Sequence, residues 1–246
     1  MYRVSKEAIG FSIIVLLLIL VLFTGCSVNI PVVSESSYYG KRVEVIESEE
    51  YTPLETFEYT VDNLKQLNEK MGYTDFDITY DNGITIDGYI SSRGVNSAED
   101  ALENITMIRS ILGLINPKEQ LKQVNSDNSF YSFYQYYNGL RVDSARVNVN
   151  IDEESRLITY TTSDVVPIET LKKVSFNYIL SEEGILADTY KGKTVKEKVI
   201  WANKEYREKP VVAYILSGDN MITVVNAHDG TYIDSWSTII TAEGVK

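Results

Sequence analysis

Four times along this chain of 246 residues a short alternating run is cut by a tight polar turn: at Asp81-Asn82-Gly83, Asn138-Gly139, Gly218-Asp219-Asn220 and Ala227-His228-Asp229-Gly230. Asn, Asp and Gly tolerate the positive φ angles of closed hairpins, and Asn-Gly between alternating runs favours a type I′ turn. Connections this short join strands running in opposite directions, so the frame of the fold is antiparallel sheet. The first hairpin joins residues 76–80 to 84–90. A second group comprises 130–137, 142–151 and 157–161, with a further turn at 152–155. A final meander comprises 195–202, 211–216, 221–226 and 231–239. The 18 Tyr suit such sheets, one face of which is buried and the other wet.

Helical spacing appears in three places. Val61, Leu64, Leu67 and Met71 predict a helix of about three turns, stopped at Gly72. Ser97 can cap a second helix, with Asp100 at the capping-box position and Ala101, Leu102, Ile105, Ile108, Leu112 and Ile115 forming one apolar stripe that ends around 113–117. Beyond Pro167, the residues Phe176, Ile179, Leu180, Leu186 and Ala187 predict a helix within 175–190, against which Gly184 argues. The expected class is therefore α+β, two consecutive units of antiparallel sheet packed by helices, over 59–167 and 168–246.

The N-terminus reads as an export signal. Arg3 and Lys6 precede an apolar run from 8 to 23 interrupted only by Gly10 and Ser12, and Thr24-Gly25-Cys26 follows at once. Small residues before a cysteine resemble the lipobox of bacterial lipoproteins, with Phe23 where Leu is usual; the resemblance implies removal of 1–25 and lipid on Cys26. The other reading is an uncleaved anchor, since about 16 to 18 apolar residues approach the roughly 20 that span a bilayer. Positive charge before the run leaves the remaining chain outside the cytoplasm in either case, on the outer face of the membrane. Residues 26–58, with Pro31, Pro53 and the acidic run 47–50, show no sustained periodicity and are expected to be a tether.

Charge and residue types narrow the chemistry. The chain has 23 Lys+Arg against 35 Asp+Glu, and without Arg3, Lys6 and Glu7 the balance is 21 against 34, a net of −13. Such a surface repels nucleic acid and favours a partner with a basic face. Cys26 is the one cysteine, so no disulfide forms within the chain. His228 is the one histidine, which excludes the two-imidazole zinc helix of metalloproteases. It lies in a predicted turn, without the positioned partner that general-base work needs. No Gly-x-Ser-x-Gly elbow or phosphate-binding glycine loop is present. Asp75, Asp77, Asp81 and Asp87 around the first hairpin do not follow the spacing of a calcium loop and are read as a solvated face. The chain is thus expected not to be an enzyme, with no catalytic residues, metal or cofactor.

Several stretches resemble the propeptides of thermolysin-like and fungalysin-like metalloproteases, which join an FTP domain to a PepSY domain. Residues 133–142, Phe-Tyr-Gln-Tyr-Tyr-Asn-Gly-Leu-Arg-Val, are similar to that family's aromatic-Gln-x-Tyr-Asn-Gly-Val-Pro-Val, with Arg141 in place of Pro. Residues 97–102 and 112–114 look like the FTP helix, and 210–214 with 224–231 look like the last PepSY strands, Asn226 standing where the family has Asp. The resemblance spans about residues 59 to 239. It implies a module that binds a secreted metalloprotease, inhibiting it or assisting its folding, with Tyr134, Tyr136 and Arg141 as contact residues and the tail Thr238, Ile239 and Ile240 as the inhibitory segment. The competing class is a cell-envelope lipoprotein that binds a wall polymer, an envelope protein or a small ligand.

Overall fold

Thr60 starts the first helix because its hydroxyl accepts the Asn63 N–H at 3.2 Å while the Asn63 side chain accepts the Thr60 N–H at 3.4 Å. Helix α1 (Val61–Lys70) buries Leu64 and Asn68, and the chain leaves it through Gly72 at φ 78°. The computed structural model describes residues 33–38, 41–46, 51, 53–81, 83–127, 129–187 and 189–239. Cys26, Asn82 and Ile240 lie outside them.

The second helix is capped by Ser97, whose hydroxyl accepts the Asp100 N–H at 3.1 Å, but Asp100 reaches back to the N–H of Asn96 and not to that of the cap. What the apolar stripe predicts as one helix is two, α2 (Ala98–Thr106) and α3 (Arg109–Leu112). Side chains inside α2 bond its carbonyls, Asn104 to Asp100 and Thr106 to Leu102, and Ile108 leaves helical geometry at φ −120°, ψ 18°. Ala101, Ile105, Ile108 and Leu112 are nevertheless all buried. Two further short helices follow, α4 (Pro117–Gln120) and α5 (Ile168–Leu171).

The helix expected within 175–190 is confined to 182–186 among the described residues. Ile179–Leu180 is a strand, and Ser181 then caps a short helix, α6 (Glu182–Leu186), by accepting the N–H of Gly184 at 3.2 Å. Ile179 and Leu180 are buried as strand residues, which is why their spacing imitates a helix face.

The strands are β1 (Val33–Tyr38), β2 (Lys41–Ile46), β3 (Asp77–Thr79), β4 (Ile84–Asp87), β5 (Leu121–Asp127), β6 (Phe130–Tyr137), β7 (Leu140–Ile151), β8 (Ile158–Ser163), β9 (Ile179–Leu180), β10 (Thr194–Trp201), β11 (Val211–Gly218), β12 (Met221–Asn226) and β13 (Tyr232–Ser237). Ten of them form one sheet with the path β13-β12-β11-β10-β7-β8-β4-β3, while β6 lies on the other edge of β7 and β5 on β6. The class is mixed α+β, dominated by antiparallel pairing with few helices. The exception is β7 with β10, parallel through Arg141↔Val199 and Val142↔Ile200. That pairing joins the early and late strands into one sheet, and no local signal announces it.

The expected turn at 227–230 closes through the Asn226 N–H on the Thr231 carbonyl at 2.8 Å, and two others close as two-residue turns. Asn138 and Gly139 take φ 48° and 71° between the paired Tyr137 and Leu140, and Asp219 and Asn220 take φ 54° and 57° between Gly218 and Met221. The first hairpin is different: its last paired residues are Thr79 and Thr85, so the connection is longer than a two-residue turn. Gly83 is fixed there by space, since a Cβ would stand 2.6 Å from the Asp164 carboxylate and 2.8 Å from the Ser163 carbonyl.

Three apolar clusters pack on this sheet. One gathers Leu64, Ile86, Ile105, Leu112, Phe133, Val147 and Ile158, the second Val142, Leu171, Phe176, Ile200, Tyr214 and Val225, and the third Val199, Trp201, Ala213, Ile215 and Val224. Within the stretch expected to be a tether, β1 and β2 form a hairpin, and β2 pairs with β9 through Val43↔Leu180 and Glu44↔Ile179. Residues 54–58 are held by Arg109, which donates to the carbonyls of Leu54 and Thr56 at 3.0 and 3.2 Å and pairs with Glu58 at 3.2 Å. Local composition hides these contacts because their partners lie far along the chain.

Candidate partner-binding cleft

Strand β7 carries β6 along one edge and divides its other edge between two strands. Its start pairs with β10, and from Val147 to Ile151 it pairs with β8. Between these ends the register against β6 jumps from Tyr134↔Arg146 to Tyr136↔Arg141, so residues 142–145 stand opposite Gln135 alone. Ser144 takes φ 65° in this bulge, and Val142 and Ala145 both point into the core. A cleft of about 650 Å³ opens where β8 and β10 part. Its walls include Tyr80, Tyr134, Arg141, Asp143, Arg146, Asp164, Asn203 and Arg207.

The cleft's polar side chains are held in place. Arg141 makes a two-pronged pair with Glu197, Nε and Nη2 lying 2.9 and 2.7 Å from the two carboxylate oxygens, and donates Nη1 to Asp143 at 2.9 Å. Burial opposes the charge on Arg141, but the bonds and charges of Glu197 and Asp143 outweigh it and hold the guanidinium above its ordinary pKa. The other Asp143 oxygen accepts Asn203 Nδ2 at 2.7 Å, and Arg207 donates to the Val165 carbonyl at 2.9 Å. The Tyr134 ring lies beneath the Arg141 guanidinium at 5.2 Å. Arg146 is exposed.

Residues 120–163 match a family model, the Fungalysin/Thermolysin Propeptide Motif. The match runs from the end of α4 through β5, β6, β7 and β8, and so includes Tyr134, Arg141, Asp143 and Arg146. It is a propeptide motif and not a catalytic domain. Among solved structures, the Bacillus megaterium YpeB C-terminal domain is similar at 13% identity over 74% of this chain and 99% of that chain, with a TM-score of 0.33. No curated protein matches.

Of the residues read from the sequence, Tyr134 and Arg141 come together at the cleft. Tyr136 is a neighbour on the same sheet face: it pairs with Arg141, its ring carries Lys122 Nζ at 4.1 Å, and its carbonyl accepts the Tyr51 hydroxyl at 3.2 Å. Thr238 and Ile239 are elsewhere. The Thr238 N–H bonds the Asn220 carbonyl, beside the β11–β12 turn, whereas Asn203 follows the opposite end of β10. Ile239 is exposed.

His228 sits in the β12–β13 turn, its N–H donated to Asn226 Oδ1 at 2.9 Å. Among the described residues no group of three or more His, Cys, Asp or Glu is placed to hold a metal ion. Asp77 and Asp87 face each other across β3 and β4, both exposed, and Asp87 accepts the Tyr73 hydroxyl at 2.5 Å. That bond, more than the slight burial and the nearby charge, pushes the Tyr73 phenol up to about 12. The bond therefore contributes below pH 10 and is lost as pH rises through about 12. In a Tyr73 ring-proton NMR titration, Asp87→Asn is expected to return the midpoint toward 10, the ordinary phenol value.

Sequence reasoning passed over Asp143, Arg146, Asp164, Glu197, Asn203 and Arg207. One signal was available: buried Val142 and Ala145 stand three apart around the polar pair Asp143-Ser144, which breaks the alternation of β7 and marks the bulge.

Proposed function

We propose that this chain is a propeptide-like module which regulates an extracytoplasmic metalloprotease, held on the outer face of the membrane through lipid on Cys26. The observation that carries the reading is the propeptide-motif match at 120–163, within which we take Tyr134, Tyr136 and Arg141 as the partner contacts. Tyr and Arg on a fixed sheet face suit protein contact, because their large side chains are ordered before the partner arrives. Residues 59–167 are read as the FTP-like part and 168–246 as the PepSY-like part. The tail from Thr238 is read as the inhibitory segment, apart from the docking face.

The test is hydrolysis of a peptide substrate by the secreted metalloproteases of the same cell, with and without the full chain. Inhibition is expected, with Tyr134→Ala weakening it about tenfold, equivalent to roughly 1.4 kcal/mol. Unchanged hydrolysis, together with unchanged recovery of refolded protease, would overturn the reading. A chain ending at 237 that inhibits as well as its parent would remove the tail from the mechanism.

A further inference from the structure

The cleft at the β7 fork is built differently from a peptide-binding groove. Peptide segments usually anchor by seating apolar side chains in apolar pockets. Among the described residues the only aliphatic lining residue is Ala202, and the others are two Tyr, three Arg, two Asp, Asn, Ser and Gly. The charges offset one another locally, Arg141, Arg146 and Arg207 lying with Asp143, Asp164 and the Arg141-bound Glu197. On a chain with a net charge of −12, a strongly anionic ligand gains little from such a site.

The same groups suit hydroxyls. Asp143 and Asn203 are fixed by their mutual bond and by Arg141, yet each retains capacity for further hydrogen bonds. Tyr80 is 64% exposed, and Tyr134 lines the cleft with its ring oriented by Arg141. Their rings can receive the C–H faces of a pyranose, a contact that combines apolar burial with a polar rim.

The surface continues along the sheet. The Oγ of buried Ser132 donates to Asn148 Oδ1 at 2.7 Å and so orients half-buried Asn148, whose Nδ2 donates to Thr162 Oγ1 at 3.2 Å, and Thr85 and Thr79 extend the row across β4 and β3. Beside that row stand Asn150 and Tyr160, paired across β7 and β8, the Tyr160 ring 37% exposed. The row offers polar and aromatic contacts for a ligand longer than the cleft itself.

We infer that the cleft and this row form a binding site for an uncharged hexopyranose chain, lying against Tyr80 and Tyr134 and hydrogen-bonded by Asp143, Arg146 and Asn203. The site shares Tyr134 and Arg141 with the proposed docking face, but its ligand is tested apart from the protease, so either reading can fail while the other stands.

The experiment is calorimetric titration of the full chain with three probes: a neutral N-acetylglucosamine hexamer, a neutral glucose hexamer and a glutamate hexapeptide. At least one neutral hexasaccharide is expected to bind saturably at millimolar concentrations or below, unaffected by added salt. Tyr80→Ala and Arg146→Ala, both at exposed positions, are expected to weaken it about tenfold. Unchanged thermal unfolding of these variants shows that the loss belongs to the site. Absence of saturable binding by either saccharide, tighter and salt-sensitive binding of the peptide, or saccharide binding indifferent to both substitutions would each overturn the assignment.

Discussion

Gln135→Leu is expected to lower stability by about 3 kcal/mol, seen as a lower urea midpoint with an unchanged slope. Gln135 is fully buried and binds one residue twice, accepting the Val166 N–H at 2.8 Å and donating to the Val166 carbonyl at 2.9 Å. Its amide thus completes a strand-like pairing for the segment that follows β8. Leu nearly preserves the volume, so packing changes little, but both Val166 groups lose their partner inside the protein. Each buried unpaired group costs about 1–3 kcal/mol, which sets the expected size. A loss below about 1 kcal/mol would mean that Val166 finds other partners.

Asn68→Leu is expected to have a comparable effect, about 3 kcal/mol, for the same reason. Asn68 accepts the Tyr89 N–H at 2.8 Å, donates to the Tyr89 carbonyl at 2.9 Å and donates to the Leu64 carbonyl at 2.8 Å. It ties α1 to the segment after β4. Gly88 supplies an independent check, since it sits at φ 133° and a Cβ there would stand 2.7 Å from Asn68 Oδ1 and 2.8 Å from the Phe76 ring. Gly88→Ala should therefore destabilise through the same junction. The two substitutions together are expected to cost less than their sum, because each already disrupts the junction the other acts on. Full additivity in chemical denaturation would show that the two sites act separately.

Much of the framework was legible because it is written in nearest neighbours. Asn138-Gly139 and Asp219-Asn220 close their hairpins through backbone preferences of the turn residues themselves. Ser97 caps its helix by reaching a group three residues away. The apolar stripe through Ala101, Ile105, Ile108 and Leu112 marked the buried face correctly, although it could not show that the helix breaks before Arg109, where Ile108 leaves helical geometry. The motif containing Tyr134 and Arg141 holds two residues that line the cleft, but it did not announce the cleft itself. Asn203 and Arg207 reach it from the far side of the β7–β10 junction, and no spacing along the chain expresses that approach.

The sequence by itself determined which segments alternate, where hairpins turn and which helix faces are apolar, since each depends on contacts only a few residues apart. Tertiary structure decided the parallel meeting of β7 with β10, the docking of 54–58 on Arg109, the pairing of β2 with β9 and the fork that opens the cleft. It also decided which amides are buried. Gln135 and Asn68 read locally as ordinary polar residues, and become structural because folding brings them backbone groups 31 and 21 residues away that would otherwise be buried without hydrogen bonds.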